Sequence, residues 1–493
     1  MSENQSTSTS SVSVAQAEAG PAASPRIPCP SCKAPILDGA RKCRSCKAWV
    51  TAPSSPDAPT AAPPPRRSGR ATVTVCATVV SVVIALITNR ESTVGEAPPL
   101  TELQPEGNAQ GAAPDPAAIG PDDPDTPEPA SAPSPEAQAR WHVAREFRVG
   151  DYHPLDLAFN PKGNSVYVSG DDASLREYRL KSGELLHKAS VPAQGDHIRV
   201  LFDRYVAVLR HEDAARIPVM DTTAWDRDPV LLEVGRSPGD IVELPDGRSV
   251  VATTADSRRL TRFELPSGAR TSNITLPHTT AQLYVVHANG RTHLGALGVL
   301  THAGRPAGAW LDLFDPEETP FGATRRSIPA GRDPRAGAVT TDGGALFYPD
   351  RVSNTAVLMS VAGVTRSRQV TVSGGPTRAF LLEGDRYGVT LNAEARTASV
   401  IDLDAMTIVS TLPLRGIPSG GVTSPDRKTL FVVLGGEEHP PTGSGVDIIA
   451  GNPPKIVASL PTGSGACAVA VSKDGRRAAV ASYRDRSVTV LEQ

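Results

Sequence analysis

Beyond Cys46 the chain almost stops using cysteine. Only Cys76 and Cys467 follow, so disulfides cannot staple the long carboxy-terminal region. Aromatic residues are also scarce, at 4%. Glycine (42) and proline (46) are abundant instead, which suits turn-rich β-structure and unfolded linkers better than a helical bundle. A net charge of -3 provides no global positive field, which argues against nucleic acid as a partner of the whole chain. There is no G-x-S-x-G elbow. The repeated "PTGSG" at 441–445 and 461–465 has no lysine in the P-loop position and reads as turn sequence in neighbouring units.

Long apolar runs are missing too, with one exception. "ATVTVCATVVSVVIALIT", Ala71 to Thr88, holds no charge. It approaches the ~20 residues that cross a bilayer as a helix, and Asn89 with flanking arginine stems extends it. Residues 71–89 are therefore expected to form one transmembrane helix, a signal anchor rather than a cleaved leader. The segments around it cannot supply a core for it to join. Residues 1–25 are Ser/Thr/Ala-rich and expected to be disordered, and 51–70 form a Pro-rich basic linker. Residues 91–140 carry eleven prolines and ten acids against one base, Arg140, so 90–140 reads as an extended acidic stalk.

The remaining cysteines cluster in 26–50 as Cys29-x2-Cys32, ten residues, then Cys43-x2-Cys46. Each pair places two thiolates on one tight turn, and two turns supply the four soft ligands of a tetrahedral Zn²⁺. So small a segment has little core, so metal binding would supply most of its folding free energy. A pair of disulfides would need an oxidising compartment, and a redox pair would need a thioredoxin-like context that is missing. The stretch resembles the bacterial zinc-ribbon knuckle C-P-x-C…C-x-x-C. That resemblance implies a closed, structural zinc site at Cys29, Cys32, Cys43 and Cys46. Arg41, Lys42, Arg44 and Lys47 form a basic face, suited to anionic lipid at least as well as to nucleic acid.

From Trp141 the texture changes to short runs of Val, Ile, Leu, Tyr and Thr separated by Asp/Asn/Gly turns. Lys162, Asp203, Asp246, Asn289, Asp342, Asp385, Asp426 and Asp474 mark turns spaced 41 to 53 residues apart. A period of about 40–50 residues with four strands per unit is the signature of a propeller. The pattern in "RYGVTLNAEARTASVIDLDAMTIVSTLPL" and "VSKDGRRAAVASYRDRSVTVLEQ" resembles YVTN-type repeats, with a general likeness to WD-repeat propellers. The resemblance implies an all-β propeller over 141–493. Eight markers favour eight blades, while the long fourth and weak second units leave seven open. The last unit ends after three strands, and the isolated "WHVAREFRV", Trp141 to Val149, can complete it and close the ring.

All ten histidines lie in this region. His287, His293 and His302 belong to one unit and could meet at its rim. Some propellers with similar repeats are lactonases or quinoprotein dehydrogenases, but no catalytic residue set can be matched here. The leading expectation is a binding, scaffold or sensor protein in a bacterial inner membrane. Arg66, Arg67 and Arg70 precede the span and acids follow it, so the zinc ribbon would be cytoplasmic and the propeller periplasmic or extracellular. The propeller would hold a protein, peptide or glycan. The competing reading is an exported lactonase-like hydrolase with its site at the central channel. A third makes the zinc ribbon the working end and the propeller its external sensor.

Overall fold

The computed structural model describes residues 26–28, 35–37 and 141–493, apart from 193, 210–214, 255–257, 303–304 and 363–366. The span expected at 71–89, the linker, the stalk and the four clustered cysteines lie outside the described residues. In the amino-terminal unit, Arg26–Pro28 pairs antiparallel with Pro35–Leu37, with Ile27 opposite Ile36.

The carboxy-terminal unit contains eight four-stranded antiparallel sheets, the blades of an eight-bladed β-propeller. In chain order they span 154–190, 197–233, 238–275, 279–329, 338–371, 376–413, 420–460 and 466–492, and are numbered blades 1 to 8. Each runs outward from an inner strand at the ring axis. All eight turn markers fall between the first and second strand of a blade. Blade 8 supplies only three strands of its own. His142–Arg148 adds the fourth, with His142 opposite Glu492 and Arg148 opposite Ser487. The ring is thus closed between its two chain ends. Trp141, just before this strand, is buried edge-on against Phe431 of blade 7, ring centroids 4.8 Å apart.

Local chemistry explains the recurring turns. Thr340, Ser424 and Ser472 each donate a hydroxyl to the aspartate two residues on, at 2.6, 2.6 and 2.5 Å. The same hydroxyls accept a backbone N–H five residues on, at 2.9, 3.0 and 3.1 Å. An [ST]-x-D triplet therefore closes the turn that starts the second strand.

Second strands are sandwiched between neighbouring blades, and Ser165–Gly170, Ser249–Thr254 and Tyr387–Asn392 are buried at every position. That is why they are rich in small and β-branched residues, with few charges. Outer strands such as Lys455–Leu460 alternate between exposed and half-buried positions. The hydrophobic core is correspondingly divided, with one buried cluster at each of the eight seams between adjacent blades. Stability comes from side chains interdigitating blade against blade around the ring.

Candidate functional site at the ring axis

Five inner strands bring long polar side chains toward the axis. Asp156 lies on Pro154–Phe159 of blade 1 and Asp240 on Pro238–Glu243 of blade 3. Both follow an irregularity in the register of the inner strand, which re-aims the side chain. The two carboxylates repeat one arrangement. Asp156 accepts the N–H of Leu157 at 2.8 Å and, across the seam, that of Ile198 at 2.9 Å, with His197 Nδ1 2.8 Å away. Asp240 accepts the N–H of Ile241 at 2.9 Å and, across its seam, that of Leu283 at 3.0 Å. Each acid thereby ties its blade to the next one.

Arg199, on His197–Leu201 of blade 2, stands between these acids, its Nε 3.5 Å from Asp240 Oδ1. Tyr284 of blade 4 donates its hydroxyl to Gln282 Oε1 and accepts the N–H of Gly337 from blade 5 at 3.1 Å. Burial pushes its pKa upward, so it remains neutral. Arg378, on Pro376–Leu382 of blade 6, completes the group. Its guanidinium is open to water yet crowded by protein. Desolvation lowers its pKa, the nearby charge of Arg199 lowers it further, and Asp156 and Tyr284 oppose the shift. Cys467 of blade 8 lies with its Sγ 3.4 Å from the carbonyl oxygen of Pro154, and burial pushes its thiol pKa up.

The histidines are dispersed. His287 and His293 flank one hairpin, with Val286 opposite His293. His302 ends the same twelve-residue strand, Arg291–His302, roughly 30 Å of extended backbone from His293, so the three do not meet. His278 is sealed in blade 4 against Asp312 at 3.0 Å. Among the described residues no three His, Cys, Asp or Glu side chains are grouped to hold a metal. The two "PTGSG" segments pack on each other: Gly465 and Ala466 donate N–H groups to the Gly443 carbonyl at 2.8 and 3.1 Å.

The axial group was not anticipated from the sequence. One signal for it existed, the recurrence of Pro-x-Asp followed by Leu or Ile at Pro154–Leu157 and Pro238–Ile241.

No family model matches the chain, and neither does any curated protein. Among solved structures, it is similar to Kuenenia stuttgartiensis hydrazine synthase at 15% identity and a TM-score of 0.46. That match covers 70% of this chain and 97% of the other. At that identity and score the likeness says nothing about activity.

Proposed function

We propose that the chain is a membrane-anchored binding or sensor protein whose propeller holds its partner at the axial end of the ring. One observation carries the reading. Asp156 and Asp240 are committed to backbone amides of the neighbouring blades, so these carboxylates act as structural ties. The charged groups left to meet a ligand are two arginines, beside a neutral phenol whose hydroxyl is already engaged, and they suit recognition rather than proton transfer.

In this proposal Ala71–Asn89 crosses the membrane once. Cys29, Cys32, Cys43 and Cys46 hold a structural zinc in the cytoplasm, and the propeller stands outside on its acidic stalk. The charge asymmetry about the span supports that orientation. The pairing of Arg26–Pro28 with Pro35–Leu37 brackets Cys29 and Cys32 in sequence, in keeping with a knuckle. The partner would be a protein, peptide or glycan, because rigid blades presenting variable loops suit such ligands.

Two measurements test this. Protease added to spheroplasts should digest the propeller or stalk and spare the zinc ribbon, and the opposite pattern would reverse the topology. A photo-crosslinking residue at Ser464, in the loop entering blade 8, should give a discrete adduct in living cells. The same probe at the outer-strand Val409 should not. Adducts equal at both positions, or missing from both, would sink the binding reading.

A further inference from the structure

The two axial arginines stand in different surroundings. Blades 2 and 6 are four apart in a ring of eight, so Arg199 and Arg378 come from opposite walls. Arg199 is flanked by the acids of blades 1 and 3, and Asp240 is its partner at 3.5 Å. Arg378 is flanked by blades 5 and 7, whose inner strands Ala338–Val339 and Gly420–Thr423 carry no charge. Its nearest inner-strand neighbour on the blade 7 side is glycine: a Cβ on Gly420 would lie only 3.7 Å from Arg378 Nε. Among the described residues, no hydrogen bond or ion pair reaches the Arg378 guanidinium.

Asp156 lends Arg378 some negative charge but is held by the backbone N–H groups of Leu157 and Ile198, so the guanidinium has no acid bonded to it, and facing a second guanidinium is unfavourable until an anion lies between them. The fork of Arg378 offers parallel N–H donors matched to two oxygens of a carboxylate or phosphate, and Arg199 adds positive charge from the far wall. On the adjoining side, the inner strand of blade 8, Ala466–Val471, reads "ACAVAV" and adds no charged side chain. Tyr284 supplies a neutral wall on the opposite side, its hydroxyl already engaged by Gln282 and Gly337.

We propose that the axis between Arg378 and Arg199 is a binding site for an oxyanion, the carboxylate or phosphate group of a ligand, held chiefly by Arg378. This deepens the binding proposal, and it names the chemistry the partner must present at the axis.

The test uses the purified full chain in detergent, titrated separately with inorganic phosphate and with acetate against a chloride background. Binding is read by calorimetry and by the rise in melting temperature. At least one anion should bind saturably. Arg378→Gln should weaken it ten-fold or more, Arg378→Lys less, and Arg270→Gln on the outer strand of blade 3 not at all. Tighter binding of phosphate identifies a phosphate-bearing ligand, and tighter binding of acetate a carboxylate-bearing one. Circular dichroism checks that Arg378→Gln is folded. Should it not be, Arg199→Gln and Arg378→Lys take its place, each expected to weaken binding. Saturation by neither anion, or equal binding by wild type and the axial variants, overturns the proposal. Because the readout needs no macromolecular partner, loss of the crosslinked adduct with anion binding intact would overturn only the wider binding reading.

Discussion

Asp312 and Asp447 hold equivalent places in blades 4 and 7, each on the third strand opposite a serine of the outer strand, Ser327 and Ser459. Each serine hydroxyl donates to its carboxylate. Each carboxylate also meets a cation-capable side chain from the link entering its blade. His278 Nε2 lies 3.0 Å from Asp312, and Arg415 Nε lies 2.9 Å from Asp447. The acids are equally buried but their partners are not: the His278 side chain is 1% exposed and that of Arg415 is 49% exposed.

That difference sets an order of cost. Removing Asp312 strands His278 without solvent, whereas removing Asp447 lets Arg415 turn to water. Asp312→Ala should therefore destabilise by about 3–5 kcal/mol and Asp447→Ala by about 2 kcal/mol. Chemical denaturation of the two variants would reveal the order, and equal or reversed losses would show that partner exposure is not the controlling factor.

Ring closure makes a second prediction. Deleting 141–149 removes the fourth strand of blade 8 and the Trp141–Phe431 contact, leaving the Ser487–Glu492 edge unpaired. The lost aromatic packing alone should cost about 3 kcal/mol, and the open edge should promote aggregation. A deletion variant that melts and stays soluble like the intact chain would contradict closure by this strand.

Asp221 provides a pH test. Arg204 grips its carboxylate with two N–H groups, at 3.1 and 2.6 Å, and this pairing lowers its pKa from 3.8 to about 2. A depressed carboxylate pKa contributes stability that is present above the ordinary value and lost as pH falls through the folded value. Arg204 is half exposed, so solvent screening keeps the contribution small. Asp221→Asn should be less stable than wild type near neutrality, and the gap should shrink as pH falls from 3.8 toward 2. A gap that does not change across that window would separate Asp221 from the acid response.

For the amino-terminal segment, the full chain purified after expression in a reducing cytoplasm should contain one zinc per chain. Each of Cys29→Ser, Cys32→Ser, Cys43→Ser and Cys46→Ser should weaken retention against a chelator, because a closed tetrahedral site loses a quarter of its ligands at once. Metal-free protein carrying two disulfides, seen by mass spectrometry, would refute the zinc assignment.

The spacing of the blades was legible in the sequence because turn chemistry is local, and the eight markers favoured eight blades while leaving seven open. Asp342, Asp426 and Asp474 each close their turns with a hydroxyl two residues earlier, so a triplet is enough to mark a hairpin. The sealed second strands were legible for a similar reason, since burial on both faces selects the same side-chain types along the whole strand. Closure was legible by counting, because a final unit with three strands needs a fourth and only Trp141–Val149 was unassigned.

The axial group was not legible, nor was the pairing of the two "PTGSG" segments, which look like loose turns one at a time. Arg199 and Arg378 each sit alone on a short strand, where an arginine reads as any solvent-facing residue. Residue order alone determined what each blade is made of. Only the curvature of the ring decided that blades 2 and 6 stand opposite each other. That geometry turns two unrelated strand positions into facing cations, one paired with Asp240 and one beside Gly420 with no acid bonded to it.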